Sequence, residues 1–179
     1  PWFKPVEGRR YFMHVDLAQR HDRCAVAMAH VDSWQQSSFI MGNEYHTPVV
    51  VVDFVYWWTP SKDQSVDFTD VRNFIVGVKQ AGFDIRAVTF DRWQSYDLMQ
   101  ELISLGMNAE RLSVAKVHYD DFKMALMEDR VKGPDVDILI KELLQLQLIK
   151  DKVDHPRRGV KDLADAVCGA IYNAITRTP

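Results

Sequence analysis

Apolar and polar residues fall in blocks along this chain, and two of the apolar blocks end on a carboxylate. The run from Tyr11 to Val15 ends on Asp16, the polar break LAQRHDR comes next, and a second apolar run, CAVAMAHV, covers residues 24–31. That pattern predicts a buried strand, a turn and an antiparallel partner strand. Residues 32–47 read as a polar connection, and VVVVDFVYWW, residues 49–58, as a third strand of the Val, Tyr and Trp type that pleated sheets favour. Val71, Phe74, Ile75 and Val78 recur at helical spacing, so a helix is expected over Phe68–Gln80, closed by Ala81 and Gly82. IRAVTFD, residues 85–91, is a fourth strand ending on Asp91. A helix over 95–106 is next, with Ser95 as its N-cap and Leu98, Leu102 and Leu105 toward the sheet. Then come a short strand over 111–117, a helix over 119–131 and an amphipathic helix over 135–149. Asp120, Asp121, Glu128 and Asp129 read as solvated helix charges, and a last helix covers 162–175.

This order implies an α/β fold with a mixed five-stranded sheet flanked by helices. The first three strands form an antiparallel meander, and the fourth joins the first in parallel through a right-handed crossover. The carboxyl ends of strands one and four then lie side by side, where α/β sheets build their sites. Those ends are Asp16 and Asp91, and a buried carboxylate is costly unless something pairs it. In the last helix Asp162 and Asp165 are three residues apart and share an edge, beside the small residues Ala166 and Gly169. Asp in a first turn also complements the helix dipole, which is explanation enough for that pair taken alone. Taken with Asp16 and Asp91, the set reads as a carboxylate cluster. Oxygen-only ligands select Mg²⁺ or Mn²⁺, and two such ions would clamp a phosphodiester for in-line attack.

Composition narrows the class. The chain has 179 residues, enough for one domain over 11–179 after a proline-interrupted lead-in, PWFKPVEGRR, over 1–10. Its start at Pro1 points to a piece of a longer protein. No apolar run reaches about 18 residues, so no membrane span is expected, and no signal peptide is visible. Cys24 and Cys168 sit in apolar runs and read as buried, reduced thiols of a cytoplasmic protein. A formal net charge of −3 argues against an obligate nucleic-acid coat and leaves a nuclease open. Arg9 and Arg10 read as a solvated basic turn. The loop residues Arg20, His21, Asp22 and Arg23 form either a plain polar turn or, through Arg20, His21 or Arg23, a contact to nucleic-acid backbone. Arg157, Arg158 and Lys161 cluster next to the acidic helix and are placed to hold a scissile strand. His30 reads as a surface histidine, and Asp53 as facing solvent rather than reaching the site. Trp57 and Trp58 point to opposite faces, one toward the core.

Four stretches, HVDLA, TFDRWQS, the VDHP loop and KDLADAVCGAIY, in this order and spacing, resemble the C-terminal nuclease domain of large terminase subunits from tailed bacteriophages. The resemblance spans residues 11–175. It implies a ribonuclease H-like fold and a metal-dependent endonuclease that cuts concatemeric viral DNA during packaging in the host cytoplasm. Asp16 matches the first-strand aspartate that contacts both metals, Asp91 the fourth-strand aspartate, and Asp165 the last-helix ligand. Asp162 sits where some members carry an additional ligand, and no role is assigned to Asp22 or His155. The implied partners are double-stranded DNA, a packaging ATPase domain of the same full-length protein, a small terminase subunit and the portal. No GxxxxGK[ST] stretch is present, so that ATPase is not expected in this chain. Two other readings stay open: a transposase- or resolvase-type enzyme of the same fold, and a non-catalytic ribonuclease H-like module of the packaging motor.

Overall fold

A computed structural model describes residues 3–17, 23–40, 43–61, 65–91, 95–156 and 159–179. The strands β1 (Tyr11–Asp16), β2 (Cys24–Ile40), β3 (Asn43–Trp58), β4 (Ile85–Phe90), β5 (Ala109–Arg111) and β6 (Val131–Lys132) form one six-stranded sheet in the order β5-β4-β1-β2-β3-β6. The antiparallel meander β1-β2-β3 and the parallel pairing of β4 with β1 are as the pattern predicts. The sheet has six strands rather than five because β6, only two residues long, pairs in parallel with Val50 and Val51. So short a strand leaves no periodic signal.

The helices are α1 (Phe68–Gln80), α2 (Tyr96–Ser104), α3 (Lys116–Met127), α4 (Asp137–Gln145) and α5 (Asp162–Arg177). Helix α1 has the expected bounds because Asp67 caps it, accepting from Thr69 N at 2.8 Å; that bond holds the Asp67 carboxyl below its ordinary range. Other expectations shift. Residues 32–47 are mostly strand, as β2 and β3 run on into a long hairpin. Its outer part, residues 32–36, is exposed, so backbone pairing needs no apolar alternation there. Helix α3 starts at Lys116, because the His118 ring accepts from Ala115 N at 2.8 Å, and the strand expected over 111–117 lies at Ala109–Arg111 instead. Leu105 is 53% exposed, beyond the end of α2. The helix expected over 135–149 stops at Gln145. A hairpin takes its place, β7 (Gln147–Ile149) and β8 (Lys152–Asp154), turned through Lys150 and Asp151, both at positive φ. That turn has the type I′ form that Asn-Gly usually announces, and Lys-Asp does not announce it.

Strand alternation divides the core into two layers. Tyr11, Met13 and Val15 of β1, with Val26 and Met28 of β2, pack against Val71, Ile75, Leu98 and Leu102 of α1 and α2. Phe12, with Ala25, Ala27 and Ala29, packs against Leu163, Ala166, Val167, Ala170 and Ile171 of α5, with Tyr119 and Phe122 of α3 behind. The alanines of β2 are what let α5 lie close on the sheet. His14 and Asp16 share the parity of Phe12, so both face α5. At the far end of β1 and β2, His30 is buried, not a surface residue; its Nδ1 lies 2.8 Å from Asp53 Oδ2, which correspondingly is not free in solvent. The reason is β2–β3 pairing, which sets His30 opposite Val51 beside Asp53. Cys24 and Cys168 are both buried and outside any disulfide, and Trp57 and Trp58 are both half-buried.

Candidate functional site

The site is the corner where β1 and β4 end beneath the first turn of α5. β1 and β4 pair in parallel, Val15 opposite Phe90, and Asp91 N donates to Val15 O at 3.3 Å, which sets Asp91 beside the end of the strand that carries Asp16. Asp16 is 2% exposed; Asp91 is half-buried, and its Oδ1 accepts from Ser113 Oγ at 2.8 Å.

Asp165 reaches the corner from above, 3% exposed. Its Oδ1 accepts from Tyr119 Oη at 2.6 Å, and its Oδ2 accepts from Lys161 Nζ. Burial pushes the Asp165 carboxyl up, and the charge of Asp91 adds to this; the bonds from Lys161 and Tyr119 oppose it. Burial alone would lower the Lys161 ammonium, but Asp165, with Asp16 and Asp154 behind it, holds it above its ordinary value. Asp16 and Asp154 act on the ammonium besides Asp165, and the pair stays charged. Burial and the Asp165 charge push the Tyr119 phenol far up, so it remains a donor. Cys168, one turn further along α5, is likewise pushed far above its ordinary value by burial and Asp165, which removes it as a nucleophile at neutral pH.

Asp162 has a different neighbourhood. It is 6% exposed and accepts from Arg23 N at 3.0 Å, tying the chain just ahead of β2 to α5. The Arg23 guanidinium lies 3.4 Å from Glu142 Oε1 of α4. Glu142, itself 3% exposed, turns its other oxygen to the start of α5 and accepts from Leu163 N at 2.8 Å and Ala164 N at 3.0 Å. Burial and the Asp162 charge raise the Glu142 carboxyl, against those backbone bonds. His155 is half-buried, with Nδ1 at 2.9 Å from Pro156 O. Arg20, His21, Asp22, Arg157 and Arg158 lie outside the described residues.

Asp16, Asp91 and Asp165 are therefore brought to one corner, with Lys161 among them. Among the described residues, no three His, Cys, Asp or Glu side chains are gathered tightly enough to hold a metal ion as they stand. The donor set nonetheless suits a hard cation: three carboxylates, oxygen only, with one ammonium on Asp165. Sequence reasoning missed Tyr119, Ser113 and Glu142. Tyr119 shares the buried stripe of α3 with Phe122, and a buried phenol has to find a partner. Glu142 stands three residues from Leu139 on the buried face of α4, and a charge on an apolar stripe is the signal that was there to find.

No protein-family profile matches the chain. An uncharacterized protein of Methanocaldococcus jannaschii, MJ0330, is 27% identical over 189 residues, covering 97% of this chain and 32% of that protein. The chain thus spans about a third of the length of this relative. Among solved structures, the large terminase nuclease from thermophilic phage G20c superposes with a TM-score of 0.71 at 13% identity, over 94% of this chain and 84% of that one. The same nuclease with bound magnesium gives 0.68 at 14% identity, with the same coverage. The HK97 bacteriophage large terminase gives 0.69 at 17% identity, over 94% of this chain and 40% of that one. The likeness is one of fold, and the fold is ribonuclease H-like, that of large terminase nuclease domains.

Proposed function

We propose that this chain is the nuclease domain of a large terminase, a metal-dependent endonuclease that cuts concatemeric double-stranded viral DNA during genome packaging. The observation that carries the reading is the meeting of Asp16, Asp91 and Asp165 at the carboxyl ends of β1 and β4 under α5, within this fold. A neighbour of the same fold that binds magnesium supports the use of a divalent cation.

In this reading Asp16, Asp91 and Asp165 hold Mg²⁺ or Mn²⁺, two ions in the working state. Bound there, the cations supply activation of the attacking water and neutralisation of charge on the phosphodiester. The protein's own groups do the positioning. Tyr119 fixes Asp165 through Oδ1, Ser113 fixes Asp91, and Glu142 anchors the first turn of α5, so that three elements are locked around one point. Asp162, engaged with Arg23 N, fits a structural tie better than a ligand. Lys161, Arg157, Arg158, Arg20 and Arg23 border the acidic corner in sequence and grip phosphate without reading bases. The further partners are the packaging ATPase of the full-length protein, a small terminase subunit and the portal. Cutting then takes place in the host cytoplasm.

Supercoiled plasmid incubated with the protein and Mg²⁺, Mn²⁺ or EDTA tests this. Nicked and linear products should form only with metal. Asp16→Asn, Asp91→Asn and Asp165→Asn should each cut at least about a hundredfold more slowly, the upper end of what losing even a supporting partner of a metal site costs. Asp162→Asn should cost less. Strand joining would favour a transposase-type enzyme, and metal-independent silence of the wild type a non-catalytic module. Near-wild-type cutting by any one of the three variants would remove that residue from the site.

A further inference from the structure

Lys161 breaks a local rule. It occupies the N-cap position of α5, with φ −141° and ψ 20° and no side-chain capping bond. Helix N-termini favour Ser, Thr, Asp or Asn there, and a cation beside the positive end of the helix dipole is unfavourable. The capping is supplied from elsewhere, by Glu142 Oε2 on Leu163 N and Ala164 N. Lys161 therefore contributes little to the helix. Its side chain runs along the first turn to Asp165 Oδ2, four residues on, while Tyr119 holds Oδ1. Its charge also acts on Asp16 and Asp154. A residue that violates local preference at a site is a candidate for a role in that site.

We propose that Lys161 is a built-in counter-cation: in the metal-free protein its ammonium holds Asp165, and a divalent cation must displace it to bind, so that ammonium and metal compete for one carboxylate. This rests on the nuclease reading above. Asp165 is almost fully buried, and a buried carboxylate without a counter-charge is costly. Lys161 offsets part of that cost when no metal is bound, and the same contact weakens metal binding. Once displaced, an ammonium on a flexible four-carbon stem is free to turn to an anion, and DNA phosphate is the anion at hand. Tyr119, which carries no charge, has no reason to leave. Metal entry and the phosphate grip of Lys161 are thereby coupled, and such coupling is reciprocal.

The test is Mn²⁺ affinity by calorimetry, without DNA, for the wild type, Lys161→Met, Lys161→Gln and a control, Lys152→Met. Lys152 is an exposed lysine bordering the same cleft as Lys161. Lys161→Met should bind Mn²⁺ about tenfold tighter, within the usual range of coupling between two sites. Lys152→Met should stay close to wild type. In EDTA, Lys161→Met should melt below wild type, and Mn²⁺ should raise its melting point by more. If Lys161→Met does not fold without metal, Lys161→Gln, which keeps a hydrogen-bond donor and loses the charge, is read instead against the same expectation. Mn²⁺ binding by the wild type with no gain in the Lys161 variants overturns the competition and leaves the nuclease reading standing. An equal gain in Lys152→Met overturns it too, since a general field would then suffice. Binding by the Lys161 variants alone supports it in its strongest form. Absence of Mn²⁺ binding in every protein overturns both.

Discussion

His14 lies directly beneath Gly169, and this contact sets how near α5 comes to the sheet. A Cβ at Gly169 would sit 2.2 Å from His14 Cγ, so no side chain fits without moving the ring or the helix. The ring is fully buried, with Nδ1 at 2.7 Å from Thr89 Oγ1, which in turn accepts from Asn173 Nδ2 at 2.6 Å. Gly169→Ala should destabilise by about 2 kcal/mol or more, an overpacking cost, measured as a fall in the urea midpoint. Burial lowers the His14 imidazole from 6.5 to about 4, with the Asp91 charge opposing. The unfolded chain therefore takes up this proton first. The contribution of His14 to stability is full above pH 6.5 and is lost as pH falls from there toward 4, by about 3 kcal/mol in total. Urea titrations between those limits should show a shallower fall for His14→Gln than for wild type, and parallel curves would place the proton uptake on other groups.

At the scale of elements, α5 depends on α4 for its beginning. Glu142 is the acceptor for two of the free N–H groups of its first turn and the partner of Arg23. Glu142→Ala should cost about 1–3 kcal/mol, the range for a missing cap or an unsatisfied buried donor. It should also slow cleavage, since Asp165 stands on that turn. Glu142→Gln keeps an acceptor oxygen and should cost less on both counts. Chemical denaturation and plasmid cutting of the two variants side by side check this, and an Ala variant as stable as wild type would show that water caps the helix as well. At the other end, Arg177 of α5 grips Glu110 of β5 through two bonds of 2.9 and 3.0 Å and holds that carboxyl below its ordinary range. Both ends of α5 are thus tied to neighbouring elements.

For the whole molecule, charge sets how the proposed nuclease would meet DNA. With a formal net charge of −3, the chain should bind duplex weakly, because a few local cations must work against an acidic surface. Replacing Arg157 and Arg158 together by Glu should lower the slope of log affinity against log salt by about 2, one for each phosphate that is no longer neutralised, over roughly 50–200 mM salt. The drop in affinity should be the same on unrelated sequences. An unchanged slope in filter binding would make the loop a solvated surface. No helix among the described residues is long and apolar enough to cross a membrane.

The strands and helices with full apolar periodicity are legible in the chain itself, and so is the pairing of β1 with β4 that sets Asp16 beside Asp91. These come from local repeats, 2 for strands and 3.6 for helices, and from the handedness of crossovers. Helix α1 and strand β4 lie where their patterns put them, and Asp165 is on the buried edge of α5 that its neighbours Ala166 and Gly169 suggest. Local patterns do not carry pairings made for the backbone alone, nor contacts between residues distant in sequence. The outer β2–β3 hairpin, the two-residue β6 and the β7–β8 hairpin exist because N–H and C=O groups must pair somewhere, whatever their side chains. Tyr119 and Asp165, 46 positions apart, and His30 and Asp53, 23 apart, meet only once the sheet is built. Lys161 is visible in the sequence as a basic residue next to acids; that its ammonium turns inward to Asp165 rather than outward to solvent depends on how deeply α5 sinks onto the alanines of β2, which is a property of the packed molecule.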